Sequence, residues 1–192
     1  MPVEIEMRAR FDEAQHEELI TRLEEIGEDL GHDNKTIIFY VLDAGLLKVT
    51  DNLTAGSAKI TWKSGRIGDG PAFPEQEIPI AREDIGRAVE ILDAIGFAER
   101  RHEAFTRRRN FRFRGVEIAV KWSQAWGYHA EFELLLPDDA ASPAARSDAA
   151  AQIGTVASSL GIRLMSEAEL AAFTRAFEEA ERDRRAAETA SG

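Results

Sequence analysis

Regular alternation of apolar and charged residues, repeated in several short segments, is the feature that most limits how this chain can fold. Residues 3–10, 58–63, 116–122 and 130–134 each place apolar side chains on one face and mostly charged or polar side chains on the other. A repeat of two residues is typical of a β-strand with one buried face. The chain is therefore predicted to form a sheet whose apolar face is covered and whose second face carries many charges.

The order of the helix and strand patterns predicts an α+β fold. Helices are expected between Asp12, a candidate N-cap, and Gly31, and again over 82–96. The expected strands are 3–10, 36–42, 46–50, 58–63, 75–80, about 99–113, 116–123 and 128–136. Eight strands in meander order with helices between them indicate an eight-stranded antiparallel β-barrel covered by helices.

The length of 192 residues suits a single domain, 1–192, with a barrel core at about 3–136 and C-terminal helices at about 143–187. Ser64–Pro74 is rich in Gly and Pro and is predicted to be a loop, and Pro137–Pro143 is predicted to be a hinge. Ser166 and Glu169 have the spacing of a capping box that opens the last helix.

The charged strand faces allow two arrangements. In an open sheet they point to water, and the helices cover the apolar side. In a closed barrel the helices still cover the apolar outside, and the charged faces line a lumen. A lumen that holds carboxylates and bases together is costly unless a metal and a polyanion neutralise them.

Composition excludes several classes of function. The chain has no Cys, which excludes disulfide scaffolds, cysteine-based zinc sites and cysteine nucleophiles. The formal net charge of −11 disfavours nonspecific binding to nucleic acid. No apolar run approaches the roughly 18 residues of a membrane span, and the first residues carry carboxylates where a secretory signal has an apolar core. A cytoplasmic protein without a membrane segment is expected.

Seven arginines lie within residues 100–114, against one acid, in a chain that is acidic overall. Such a cluster indicates either an anion site or a solvated basic strand edge. Arg107 and Arg109 alternate onto the same face as Phe111, so this pair is expected to be charge-paired or to hold an anion.

The opening segment Glu4-Ile-Glu6-Met-Arg8-Ala-Arg10 resembles the Glu-x-Glu-x-Lys signature of CYTH domains, the triphosphate tunnel metalloenzymes. This family includes class IV adenylate cyclases and thiamine triphosphatases. The resemblance extends over about 3–136 and continues in order through Ile60–Lys63, Glu75–Glu77, Ile95–Phe97, Arg107–Arg109 and Gly127–Glu133.

The resemblance implies an antiparallel tunnel in which acidic residues hold Mg²⁺ or Mn²⁺ and basic residues bind a triphosphate. Hard divalent cations prefer oxygen ligands, and arginine binds phosphate in a bidentate manner. The implied metal ligands are Glu4, Glu6, Glu131 and Glu133. The implied phosphate ligands are Arg8, Arg10, Lys48, Lys59, Lys63, Arg107 and Arg109. Accessory positions are Glu75, Glu77, Lys121 and His129.

Two departures from the family pattern bear on activity. Thr50 stands where the family has a second arginine after its second strand, and Lys121 stands where it has a metal-binding Asp. The expected function is metal-dependent hydrolysis of inorganic tripolyphosphate, thiamine triphosphate or a nucleoside triphosphate. The alternatives are a class IV-type adenylate cyclase and a triphosphate-binding protein with little catalysis.

The expected partner is a small molecule that contains a triphosphate. A homodimer is left open, because Leu170, Phe173 and Phe177 form an apolar stripe on the last helix that fits either core packing or a dimer contact.

Overall fold

The computed structural model of the chain describes residues 3–64, 72–137 and 142–190. Most of the predicted loop Ser64–Pro74 and of the predicted hinge Pro137–Pro143 lies outside these described residues. In the part of the chain that is described, each helix is too short or too polar to cross a lipid bilayer.

The described chain forms nine strands and four α-helices. The strands are β1 (Val3–Arg10), β2 (Glu28–His32), β3 (Lys35–Leu42), β4 (Gly45–Asn52), β5 (Ser57–Ser64), β6 (Ala72–Ile80), β7 (Arg101–Phe113), β8 (Val116–Ser123) and β9 (Gly127–Leu136). The helices are α1 (Glu13–Ile26), α2 (Ile85–Leu92), α3 (Pro143–Ser159) and α4 (Glu167–Ala190).

Eight of the described strands form a closed antiparallel circuit in the order β7-β3-β4-β5-β6-β1-β9-β8, with β8 pairing back to β7. The 13 residues of β7 make this closure, because its first part pairs with β3 and its second part with β8. Thr106 is the crossover point, since it pairs with both Lys35 and Ser123. The predicted α+β fold with an eight-stranded barrel is confirmed, and β2 adds a short ninth strand beside β7.

The hydrophobic core lies outside the barrel, between the sheet and helices α1 and α3. It is formed by the outward-facing residues of β1, β7, β8 and β9 and the inner faces of the two helices, including Ile5, Leu23, Phe111, Ile118, Phe132 and Ile153, all 0% exposed. Burial of apolar area supplies about 25 cal/mol per Å², so this layer stabilises the wall of the barrel. The charged strand faces therefore point inward.

Local signals position the helix ends largely as the sequence predicts. Asp12 accepts a hydrogen bond from the Gln15 N–H, which forms a capping box at the start of α1. At α4 the Glu169 N–H donates to Ser166 Oγ at 3.2 Å, and the Ser166 N–H donates to Glu169 Oε2 at 2.8 Å. The predicted capping box of the last helix is confirmed.

The first helix prediction is wrong in its extent. The first helix ends at Ile26, so Leu30 lies in β2 and not on a helical stripe. Gly27 follows the helix with an extended backbone, and an added Cβ there would lie 2.9 Å from the Leu23 carbonyl oxygen, so this position requires glycine. The helix predicted over 82–96 passes from α2 into a π-helical turn at Asp93–Phe97. Ile95 in this turn is 61% exposed.

Candidate active site

The inward-facing side chains of the barrel and part of α4 enclose one cavity of about 860 Å³, called here the barrel cavity. The carboxylates that line it among the described residues are Glu4, Glu6, Glu75, Glu77, Glu103, Glu131 and Glu133. The cations that line it are Arg8, Lys35, Lys48, Lys59, Lys63, Arg108 and Lys121. The two sets are equal in number, so the many charges largely compensate each other within the cavity.

Three carboxylates form a compact cluster in the cavity. Glu4, Glu6 and Glu133 each offer one oxygen, and these oxygens lie within 4.8 Å of one another. The strand register explains the cluster, because Glu6 pairs directly with Glu133 across β1 and β9, and Glu4 lies two residues along the same face. An all-oxygen donor set of this kind fits a hard divalent cation such as Mg²⁺ or Mn²⁺.

Glu131, the fourth predicted metal ligand, lies in the cavity but outside this cluster. Its carboxylate accepts from Arg8 Nε at 3.2 Å and is in contact with Lys121 Nζ. Lys121 is 8% exposed, and burial lowers its pKa well below the ordinary value, with a further contribution from nearby Arg108. A lysine side chain thus occupies the side of the site where the family pattern has an acidic ligand.

Lys63 lies at the centre of the acidic residues. Its Nζ is 2.9 Å from Glu4 Oε2, 2.9 Å from Glu6 Oε2 and 3.1 Å from Glu75 Oε1. Burial disfavours the charged amine, but Glu6, Glu4 and Glu75 outweigh it and raise the pKa of Lys63 above its ordinary value. This ammonium group is therefore fixed beside the carboxylate cluster.

Arg8 carries a buried donor beside the carboxylate cluster. Its side chain is 7% exposed, and Nη2 contacts Glu6 Oε1, while the buried Nη1 has no hydrogen-bond partner among the described residues. Burial would raise the pKa of Glu6, but Arg8, Lys63 and Lys121 hold that pKa well below its ordinary value. A buried donor without a partner costs about 1–3 kcal/mol, which an anion in the cavity would offset.

The arginine triplet of β7 is oriented opposite to the sequence prediction. Arg108 lines the barrel cavity, 3.6 Å from Glu133 Oε2, whereas Arg107 and Arg109 lie on the outer face. Arg107 stacks over the Trp122 ring at 4.6 Å, and Arg109 forms ion pairs with carboxylates of α1 and β2. The prediction that Arg107 and Arg109 line the lumen is therefore wrong.

The physical reason is the side-chain parity of β7. Phe111 shares a face with Arg107 and Arg109 and is fully buried in the core outside the barrel, so their face must point outward. The uniformly polar face with Thr106 and Arg108 is the inner one. Both faces of β7 carry arginines, so the alternation of charge gave no signal for Arg108.

Arg10 and Lys35 also differ from expectation. Arg10 is on the inward parity of β1 but lies outside the cavity lining, because its guanidinium stacks on the Phe173 ring at 4.1 Å and donates to the Trp126 carbonyl oxygen at 3.1 Å. Lys35, which the sequence reasoning missed, lines the cavity and forms an ion pair of 2.6 Å with Asp33.

The remaining predicted residues line the cavity. Lys59 pairs with Glu77, and Lys48 Nζ lies 3.6 Å from Glu75 Oε1. His129 is buried, its Nδ1 is 2.9 Å from the Gly127 carbonyl oxygen, and burial together with Lys121 lowers its pKa to about 3. A neutral His129 is therefore expected at physiological pH.

Helix α4 covers part of the cavity. Thr174 and Phe177 are among the lining residues, and the Phe177 ring lies 6.0 Å from the His102 ring. Phe173 packs edge-on against Trp126 with ring centroids 4.8 Å apart. The apolar stripe of this helix thus faces the cavity at Phe177, in addition to core packing at Leu170, which is 6% exposed.

Comparison with solved structures supports this architecture. The PH1012 protein from Pyrococcus horikoshii is 20% identical with a TM-score of 0.68, covering 84% of this chain and 94% of that chain. A candidate adenylate cyclase from Vibrio parahaemolyticus is 17% identical with a TM-score of 0.64, covering 86% and 91%. The candidate adenylyl cyclase HpAC1 from Hippeastrum, which has a dominant triphosphatase activity, is 15% identical with a TM-score of 0.56, covering 85% and 90%.

Neither the models of known protein families nor the curated proteins give a match to this sequence. The likeness in three dimensions is extensive at low identity, and it establishes the fold. The chain has the triphosphate-tunnel fold of CYTH proteins.

The orientation of β7 leads to a matched test with two neighbouring residues. Arg108→Gln is expected to raise the KM for a triphosphate about 10-fold or more, because a charge-assisted hydrogen bond to an anion contributes about 1.5–3 kcal/mol. Arg109→Gln, on the outer face, is expected to leave KM within about twofold. Steady-state phosphate release measures both, with thermal unfolding as a check on folding. A larger effect from Arg109→Gln would contradict the assignment.

Proposed function

We propose that this protein is a metal-dependent triphosphatase that hydrolyses a triphosphate substrate inside the barrel cavity. One observation carries the proposal: a cluster of three carboxylates and a set of buried cations lie in contact within the same cavity. The cluster fits the metal that phosphoryl transfer requires, and the cations fit the phosphate oxygens.

Each side chain has a definite part in this proposal. Glu4, Glu6 and Glu133 would hold Mg²⁺ or Mn²⁺, which when bound neutralises charge on the phosphate and acts as a Lewis acid. Lys63 Nζ, 2.9 Å from two of these carboxylates, is within reach of any phosphate held at the cluster. The unpaired Nη1 of Arg8 supplies a further donor.

Hydrolysis requires fewer structural features of the site than cyclisation does. A hydrolase must hold the phosphates, neutralise developing charge and admit a water molecule, whereas a cyclase must also orient the ribose of one nucleotide. The likeness to HpAC1, a candidate cyclase with a dominant triphosphatase activity, supports the same choice.

The decisive experiment is a substrate screen of the purified protein with Mg²⁺ or Mn²⁺. Inorganic tripolyphosphate, thiamine triphosphate and ATP are each supplied, and orthophosphate, pyrophosphate and cyclic AMP are measured. Release of orthophosphate that depends on the metal is the expected result. Formation of cyclic AMP from ATP without release of orthophosphate would contradict the triphosphatase proposal and support the cyclase alternative.

A second candidate is a triphosphate-binding protein with little catalysis, and the position of Lys121 favours it. Its amine contacts Glu131 inside the cavity and would occupy the space that a second metal ion needs there. Metal-dependent binding of tripolyphosphate without turnover in the same screen would select this candidate.

Lys121→Asp is expected to raise the number of Mn²⁺ ions bound in the presence of tripolyphosphate and to increase the turnover about 10-fold or more, since each metal contributes several kcal/mol of charge stabilisation. Lys121→Met is the matched control, because it removes the amino group without adding a ligand. Metal titration by calorimetry and phosphate release test both variants. Turnover of both variants at the wild-type level would show that this position does not limit catalysis, and equal turnover above that level would show that the added carboxylate is not the cause.

A further inference from the structure

One wall of the barrel cavity is apolar. The three inward-facing residues in the middle of β3 are Ile37, Phe39 and Val41, and the cavity also meets Leu46 of β4 and Phe177 of α4. These five residues are called here the apolar wall.

The strand register makes the apolar wall continuous. Val41 pairs directly with Leu46 across β3 and β4, and Phe39 pairs with His102 across β3 and β7. The Phe177 ring approaches the same His102 ring at 6.0 Å, so α4 extends the wall beside Phe39. Side chains from three separate elements therefore meet in one patch.

This patch retains free apolar surface. Phe39 and its apolar neighbours on the wall are half-buried, and they face the cavity rather than the core. Apolar area left in contact with water forgoes about 25 cal/mol per Å², so a ligand that covers it gains affinity. An inorganic tripolyphosphate ion exposes only polar and charged oxygens, so it has no apolar surface that could contact the wall.

The apolar wall adjoins the phosphate-binding cations. Phe39 pairs with Lys48 across β3 and β4, and Leu46 pairs with Lys63 across β4 and β5. The cavity of about 860 Å³ lies toward the upper end of small-molecule sites, which span about 300–1,000 Å³. One ligand can therefore contact the cations with its phosphates and the apolar wall with an organic group.

We propose that the substrate is an organic triphosphate whose aromatic or apolar group contacts the apolar wall, in preference to inorganic tripolyphosphate. This inference rests on the proposed triphosphatase function. A nucleobase and another flat heterocycle share the chemistry that the wall recognises, so the test includes both.

The test compares Phe39→Ala with Phe105→Ala. Phe105 is a matched control because it lies on the outer face of β7 and is 40% exposed. With Mg²⁺ or Mn²⁺ present, kcat/KM is measured for ATP, thiamine triphosphate and inorganic tripolyphosphate. In the wild-type protein at least one organic substrate is expected to exceed tripolyphosphate about 10-fold.

Phe39→Ala is expected to lower kcat/KM for the preferred organic substrate about 10-fold and to leave tripolyphosphate within about twofold, because only the organic group contacts the ring. Phe105→Ala is expected to leave both within about twofold. Which organic substrate is affected distinguishes the nucleobase from the other heterocycle.

Two results would overturn the inference. If tripolyphosphate is hydrolysed as well as or better than both organic substrates, the triphosphatase function stands and the substrate class is wrong. If nothing is hydrolysed, the triphosphatase proposal fails. Calorimetric binding of the same ligands then tests whether the apolar wall contacts an organic group. The contact is supported if an organic triphosphate binds more tightly than tripolyphosphate and Phe39→Ala removes this difference. Equal binding of the two ligands by the wild-type protein overturns the contact.

Discussion

Glu6→Gln is expected to lower metal-dependent phosphate release at least about 100-fold, since even residues that only support metal ligands change activity 10–100-fold. Glu6 lies between Glu4 and Glu133 in the carboxylate cluster and is 4% exposed. The amide keeps the size of the side chain but removes the charge that a divalent cation requires. Orthophosphate release and calorimetric titration with Mn²⁺ plus tripolyphosphate measure the loss.

Glu90→Gln is the matched control, because Glu90 is an exposed residue of α2. It is expected to change neither turnover nor metal binding. An alternative explanation of the cluster is that its carboxylates only pair with Arg8 and Lys63 to stabilise the barrel. That explanation predicts a lower unfolding temperature for Glu6→Gln with unchanged metal binding, and such a result would remove Glu6 from the metal site.

Lys63→Met is expected to lower the free energy of unfolding by about 3–5 kcal/mol in the absence of divalent metal. The variant leaves Glu4, Glu6 and Glu75 without the ammonium group that contacts all three in a buried position. It is also expected to weaken the binding of tripolyphosphate. Urea unfolding and calorimetry measure the two effects.

The stability of Lys63→Met measured with and without divalent metal is the control for this prediction. Mn²⁺ is expected to restore part of the lost stability, because a bound cation would compensate the same carboxylates that Lys63 compensates in the wild-type protein. Lys59→Met is the matched variant for stability: its pair with Glu77 is 41% exposed on the lysine side, so a change below about 1 kcal/mol is expected. An equal response to Mn²⁺ in wild type and Lys63→Met would contradict the proposed metal position.

The acidic cluster shows what local sequence can predict. Glu4 and Glu6 alternate with apolar residues in β1, and Glu133 does so in β9, so their common face follows from the repeat of two. The resemblance to CYTH domains grouped Glu4 and Glu6 with Glu133 as implied metal ligands, and Glu6 pairs directly with Glu133 across β1 and β9. Glu131 shows the limit, because one of its hydrogen-bond partners, Lys121, comes from a third strand, β8.

The helix ends show the same distinction between what local sequence predicts and what tertiary contacts determine. Asp12 and Ser166 cap their helices through residues three positions away, so a short stretch of sequence contains the whole interaction. The end of α1 before Leu30 depends on the pairing of β2 with β7. Those contacts are absent from the helical periodicity.

The sequence by itself determined the eight alternating strands, the helices that cover them, and the residue types that would line a charged lumen. Only the tertiary structure decided that Arg108 faces the cavity while Arg107 and Arg109 do not, and that Phe39 and Phe177 form one apolar wall. The physical reason is that alternation defines two faces of a strand but not which face is inside. That choice depends on closure of the barrel and on the packing of α1, α3 and α4 around it.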